Sequence, residues 1–331
     1  MKRNGNRLLL IAPAFFDYEH KIIEELGALN YTVKYINADP NGLLGTIYSS
    51  FKKIHFGTDF IIKCFENVIY KKVKNESFDK VLVICGWALT SRVISRIRNN
   101  CLSERGKMYL YYWDSIHLLK DDQKRLVFFD EVFSFDEIDC KKSNGRIQFL
   151  PLFYCNDFDV TNKDNSEYHL ATIGSYKYDR YFMIENLKKR FPEIRILSYL
   201  YTPKWMILFH KLLRKKYKDI KLENLSFKKL SFGDIISLYS KCEAVLDIPR
   251  TGQDGLTMRT FECLAMHKKI LTTNTNIKKY DFYNPDNCYV INNEMTQFPD
   301  KDWFEKPYKE IDRTIVEQYS ISHWLRVIIE D

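Results

Sequence analysis

Short apolar runs alternate with longer amphipathic stretches along almost the whole chain, and no other feature limits its fold as strongly. The first half reads strand RLLLIAP, helix HKIIEELGALN, strand YTVKYIN, a helical stretch FIIKCFENVIYKKV, strand KVLVICG and helix SRVISRIRNN, then the apolar runs MYLYYWD, EVFSFD and IQFLPL. Strands separated by helices imply a parallel sheet covered on both faces, because each parallel connection needs a crossover. The polar stretch CNDFDVTNKDNSEYH interrupts this rhythm with turn-forming Asn, Asp and Ser, which places a linker near residues 155–167. A second series follows: HLATIGS, YFMIENLKKRF, IRILSYL, a basic segment, FGDIISLYSKC, AVLDI, then KILTTN and CYVIN. The fold class expected is α/β with two Rossmann-like domains, 1–157 and 158–315. The amphipathic tail 316–331, with Ile321, Trp324, Leu325 and Ile328 on one stripe, is expected to pack back on the first.

With 331 residues, the chain is long enough for two cores. Hydrophobic residues at 45% and charged residues at 28% exclude a disordered chain. The eight cysteines are scattered without a CxxC or a Cys/His spacing that closes a zinc tetrahedron, so reduced, mostly buried thiols are expected. The start MKRNGNRLLLIAPAFF runs straight into charged DYEHKIIEEL and reads as a first strand rather than a signal peptide, which implies a cytoplasmic location. No apolar run reaches the length of a membrane span. GxSxG, GxxxxGK[ST], HExxH and a GxGxxG after the first strand are all missing.

The stretch RTGQDGLTMRTFECLAMHKKILTTN, from Arg250 to Asn274, reads as a loop, a helix and a buried strand. Gly252 and Gly255 free the backbone for turns, Thr257 is a candidate cap, and Phe261, Leu264 and Ala265 recur at helical spacing. A helix opening from such a loop presents unpaired N–H groups and the positive end of its dipole, which suit a phosphate.

Two Rossmann-like halves with this unit late in the second resemble the GT-B glycosyltransferases, in which a nucleotide-sugar lies in the cleft that the domains face. The spacing of Asp254 and Glu262 is similar to the E-x7-E motif of the retaining families, with Asp replacing the first Glu. By that resemblance Glu262 accepts hydrogen bonds from the nucleotide ribose, Asp254 holds donor-sugar hydroxyls, and the amides of Gly255, Leu256 and Thr257 meet the diphosphate. A carboxylate suits a vicinal diol because it only accepts. The stretch IGSYKYDR supplies Ser175, Lys177 and Arg180 where such enzymes bring cations to the diphosphate. Arg180 ranks first for its paired donors, and Arg250 and Arg259 compete for the same task.

In the first half, APAFFDYEH and YYWDS belong at the carboxyl edge of the sheet, where ligands collect, so Asp17, Glu19, His20 and Asp114 would face the acceptor. Asp17, His20 and Asp114 are the candidate catalytic groups. An inverting enzyme needs one of them as base, whereas a retaining enzyme can let the leaving phosphate take the proton. DFD at Asp157–Asp159 resembles the metal-binding DxD of the other glycosyltransferase fold but falls in the expected linker, and no metal or cofactor is expected.

Formal net charge is +8, and Pro203–Leu230 holds nine Lys/Arg against Asp219 and Glu223. Following WMILFHKLL, these cations read either as an ordinary solvated helix face or as a basic amphipathic helix on an anionic membrane surface. The function expected is a metal-independent glycosyltransferase moving a sugar from a nucleotide-sugar to a glycan or lipid-linked acceptor in lipopolysaccharide or other surface polysaccharide biosynthesis. It would be peripheral on the inner face of the membrane, without nucleic acid as partner. The second reading is a non-catalytic nucleotide- or polyanion-binding protein of the same fold with a regulatory or structural role in an envelope or spore.

Overall fold

A computed structural model of the chain describes residues 6–39, 58–116, 123–160, 166–292 and 297–330. Residues 161–165 of the expected linker lie outside them. Two units are distinguished: Met1–Leu152 with Gly252–Gly255 and Tyr319–Asp331, and Phe153–Thr251 with Leu256–Gln318.

The first unit is built on β1 (Arg7–Ala12), β2 (Thr32–Asn37), β3 (Phe78–Ile84), β4 (Leu102–Tyr112), β5 (Glu131–Ser134) and β6 (Gln148–Phe149). All pairings are parallel, in the order β2-β1-β3-β4-β5-β6. The crossovers carry α1 (Tyr18–Ala28), α2 (Thr58–Val73), α3 (Ser91–Cys101) and α4 (Glu137–Lys142). Leu8, Leu9, Leu10 and Ile11 are fully buried because β1 is covered on both faces, which is why it reads as an unbroken apolar run. The run IQFLPL pairs only through Gln148 and Phe149, since Pro151 has no N–H for the ladder. Helix α11 (Ile321–Ile329) also belongs to this unit. Ser320 caps it by accepting from His323 N–H, Trp324 meets Tyr111 edge-on at 4.7 Å, and Lys80 donates to the Ile329 carbonyl.

The second unit repeats the plan with β7 (Tyr168–Ser175), β8 (Ile196–Tyr201), β9 (Cys242–Asp247), β10 (Lys269–Thr272) and β11 (Cys288–Val290), all parallel, in the order β11-β10-β9-β7-β8. Its helices are α5 (Tyr178–Arg190), α6 (Lys204–Leu213), α7 (Phe232–Ser240), α8 (Met258–Ala265), α9 (Lys301–Glu305) and α10 (Arg313–Glu317). Leu170, Ala244, Leu246 and Leu271 pack with Trp303 and Phe304 in its main core.

In each sheet the strand order turns back at the first strand, between β1 and β3 and between β7 and β9. Such a switch point opens a crevice at the carboxyl ends of the strands, because the two neighbouring crossovers leave in opposite directions.

The basic segment departs from the expected helix. Only Lys204–Leu213 is helical; beyond it Lys215 and Lys216 lie on a short 3-10 turn at Lys215–Tyr217, and the second such turn, Leu222–Asn224, carries no cation. Continuing the helix would stack Lys211, Arg214, Lys215 and Lys218 at like-charge spacings of three and four residues. The chain turns instead, and Lys211 Nζ donates to the carbonyls of Lys218 at 3.0 Å and Ile220 at 2.6 Å. All eight cysteines are free, and six of them are buried.

Candidate functional site

At the second switch point, β7 ends at Gly174 and Ser175, and the chain enters α5 through Tyr176 and Lys177. Arg180, in the first turn of α5, reaches back across the crevice. Its Nη1 donates to the Ser175 carbonyl at 3.2 Å and its Nη2 to the Ile248 carbonyl just beyond β9 at 3.1 Å. Both partners are neutral, so the guanidinium charge is oriented without being cancelled. Burial, and then the nearby Arg259, bring the Arg180 pKa down to about 10. Lys177 is also held below the ordinary lysine range, first by burial and then by the charges of Arg180 and Arg250. Three of the four cations read from the sequence therefore crowd one strand edge and repel one another, a state that a bound anion relieves.

Arg259 is engaged differently. From α8 its Nη1 meets Asp247 Oδ1 at 2.8 Å, its Nε donates to Tyr239 Oη at 3.1 Å, and its Nη2 donates to the Ile173 carbonyl at 2.6 Å. Burial works against this charge, but the neighbouring Tyr239, Asp247 and Glu262 hold its pKa above the usual value. It is an internal strut. Asp247, at the end of β9, is almost completely buried and also accepts from Thr257 Oγ1 at 2.7 Å. Thr257 stands at the N-cap of α8, but its hydroxyl makes no cap bond and turns to Asp247 instead. Glu262 is buried on the same helix, and so is Leu256 just before it. A methyl on Gly174 would lie 2.9 Å from Arg180 Nη1 and 3.4 Å from Arg259 Nη2, so only a glycine lets both guanidiniums approach the β7 backbone. Sequence reasoning passed over Gly174; its one signal was a glycine closing a buried strand.

Asp254 and Gly255 belong to the first unit, so the two acids of the E-x7-E-like spacing fall in different units. The Asp254 N–H donates to Asp136 Oδ2 at 3.1 Å. Gly252 has the left-handed backbone expected of a turn glycine, with φ 83°. Gly255 is glycine for another reason: an added Cβ would lie 2.4 Å from the Phe135 carbonyl oxygen. Asp136 and Asp139, after β5, are buried acids that the sequence reading also missed. Asp136 accepts from Ser115 Oγ and from Ile138 N–H at 3.0 Å, and Asp139 accepts from Ile116 N–H at 2.7 Å. They tie down the loops that follow β4 and β5.

At the first switch point, Phe16 and Asp17 take left-handed backbone after β1, with φ 49° and 65°. Asp17, Glu19 and His20 bring one ligand atom each within 4.8 Å of one another. Glu19 is buried and accepts the Phe15 N–H at 3.0 Å, while Asp17 and His20 are exposed. Asp114 follows β4 on the same edge, and the rings of Phe15 and Trp113, 6.0 Å apart, draw the two loops together. Cys85 and Gly86 close β3 between them, also left-handed, and fully buried Arg125 donates to the Cys85 carbonyl at 2.6 Å and the Leu89 carbonyl at 3.2 Å. Asp159 of the DFD stretch is taken by Arg313, which approaches it with both terminal nitrogens, one at 2.7 Å.

No family model matches the chain, and no curated protein is similar to it in sequence. Solved structures are similar over its whole length. A glycosyltransferase from Rickettsia africae superposes with a TM-score of 0.57 at 13% identity, covering 98% of this chain and 97% of that one. The chain has a GT-B-like fold. Anabaena HepE, in complex with UDP and glucose, gives 0.56 at 11% identity over 98% and 99% of the two chains. The UDP-GlcNAc 2-epimerase of Neisseria meningitidis, bound to UDP-GlcNAc, gives 0.54 at 14% identity over 98% of each. At these identities the likeness is one of fold.

Proposed function

We propose that this GT-B-like protein is a glycosyltransferase that moves a sugar from a nucleotide-sugar to a glycan or lipid-linked acceptor at an anionic membrane surface, in the assembly of lipopolysaccharide or another surface polysaccharide. The observation that carries the reading is the group of Lys177, Arg180 and Arg250 at the β7/β9 switch point, where positive charge is held in excess and Arg180 is aimed by two carbonyls. A diphosphate is the anion that fits: Arg180 and Lys177 meet its oxygens, and they steady the charge that grows on the leaving group as the glycosidic bond breaks. Glu262 takes the ribose hydroxyls and Asp254 the donor sugar. Asp17, His20 and Asp114 supply the acceptor side, where Asp17 or His20 can receive the hydroxyl proton. The UDP-GlcNAc 2-epimerases among the matched structures favour a second reading, an epimerase that uses the same anion site and needs no acceptor.

Thermal stabilisation across a panel of nucleosides, nucleoside diphosphates and nucleotide-sugars tests the donor site. Nucleotide-sugars and diphosphates stabilise the protein, and bare nucleosides do so far less; a protein indifferent to every diphosphate does not have this site. Glu262→Gln weakens nucleotide affinity by about 1.5–3 kcal/mol, the worth of a charged hydrogen bond. Unchanged affinity in the folded variant removes the ribose role. Analysis of the sugar without acceptor separates the readings, because a transferase leaves the unused donor's configuration intact and an epimerase inverts one of its stereocentres.

A further inference from the structure

Helix α6 wears its apolar stripe on the outside. Trp205, Leu208, Phe209 and Leu212 stand at i, i+3, i+4 and i+7, the spacing with which a helix buries one face. All four are exposed, Trp205 to 68% and Leu212 to 82%, and Leu213 is exposed beside them. The opposite side holds the helix in place: Ile207 is fully buried with Tyr181, Ile184, Leu200 and Tyr217. A contiguous apolar surface of this kind marks an interaction face.

The rim of the stripe says what covers it. Arg214, Lys215 and Lys218 follow directly and are exposed. Lys204 opens the helix, its ammonium 5.9 Å from the Phe227 ring, and Lys216 lies 4.6 Å over the Tyr178 ring, so both charges stay at the surface. Asp219 and Glu223 are the segment's only acids. A second copy of the chain would press this cationic rim against itself, which repulsion opposes. A bilayer with anionic headgroups satisfies both halves at once, because apolar side chains enter the boundary between headgroups and acyl chains while the cations meet phosphates.

We propose that the surface from Lys204 to Lys218 docks on anionic phospholipid, with Trp205, Leu208, Phe209, Leu212 and Leu213 entering the interface and Arg214, Lys215 and Lys218 held at the headgroups. Among the described residues no helix is long and apolar enough to cross a membrane, so α6 lies in the plane of the surface. The docking gives substance to the membrane-surface element of the proposed function, but it rests on helix orientation and charge, independently of the donor site.

The test is co-sedimentation of the full chain at low salt with vesicles of phosphatidylcholine alone and of equimolar phosphatidylcholine and phosphatidylglycerol. The protein sediments with the anionic vesicles only, and binding weakens as salt shortens the Debye length to about 8 Å at physiological strength. Each cation near an anionic surface is worth roughly fivefold in affinity, so Arg214→Gln/Lys215→Gln/Lys218→Gln binds roughly a hundredfold more weakly. Leu208→Glu/Leu212→Glu, also at exposed positions and checked by unchanged thermal melting, reduces binding to background. Absence of wild-type binding at low salt overturns the proposal, and so does equal binding to neutral vesicles or wild-type binding by either variant. A lipid-free dimer that Leu208→Glu/Leu212→Glu dissolves makes the stripe an interface between copies and overturns it as well. Lipid binding is read without turnover, so this experiment and the donor experiment fail separately.

Discussion

The two switch points share one topology and differ in sign. At β1/β3 the chain gathers Asp17, Glu19 and His20, and the deeply buried cation Arg125 is turned onto backbone carbonyls. At β7/β9 it gathers Lys177, Arg180 and Arg250, and the buried acid at the end of β9, Asp247, is spent on Arg259. In each crevice the minority charge is locked inside as structure and the majority charge is left at the edge. One parallel α/β plan can thus present an edge rich in acids or an edge rich in cations, depending on a few side chains at the strand ends.

Breaking the locked pair tests that division most severely. Asp247→Ala leaves Arg259 buried without its carboxylate and is expected to cost about 3–5 kcal/mol of stability, read by denaturant unfolding. A loss no larger than that of a surface substitution would mean that Arg259 is as available to ligand as Arg180. Next in size is Gly255→Ala, which drives a methyl into the Phe135 carbonyl and is expected to cost about 1–3 kcal/mol through overpacking. Its effect appears in unfolding, and an unperturbed melting curve would show that the loop has room to move away.

The smallest effect sharpens the contrast. Lys177→Gln relieves repulsion from Arg180 and Arg250, so the melting temperature holds or rises while diphosphate affinity falls by about 1 kcal/mol, fivefold, as expected of one exposed charge contact. The pH dependence follows the same logic. The Lys177 pKa is lower folded than the unfolded value of 10.5, so its charge disfavours folding at neutral pH and that cost is lifted as pH rises through the lowered value. A bound diphosphate favours the charged form. Affinity measured by titration calorimetry is therefore full at neutral pH and declines as pH rises through the depressed pKa values of Lys177 and Arg180, the latter about 10. If Lys177→Gln leaves that decline unchanged, Lys177 is not in contact with the anion.

Much of the fold was legible because the determining information is local. An apolar run such as RLLLIA can only be a strand buried on both faces, and the amphipathic stretches between such runs can only be the crossovers of a parallel sheet. The expectation of an anion site at a strand end rests on the same kind of reasoning, since strand ends before helices are where ligands collect. Which cation stands ready was not legible. Arg180 and Arg259 are the same residue type in similar loop-to-helix settings, and they differ because Asp247 and Tyr239 bond to Arg259 whereas Arg180 reaches only backbone carbonyls.

What the sequence determined by itself was therefore periodicity: strand, crossover and the spacing of the apolar stripe on α6. Tertiary structure alone decided which way that stripe faces, because the inward side was claimed by Ile207 against Tyr181 and Tyr217 while Trp205, Leu208, Phe209 and Leu212 were left outside. It likewise decided that Gly255 is glycine for closeness to Phe135 rather than for a turn, and that Arg259 is neutralised while Arg180 is not. The physical reason is common to all three. Hydrogen-bonding periodicity is a property of neighbouring residues, whereas burial, close approach and charge compensation depend on groups that meet only after distant segments have packed.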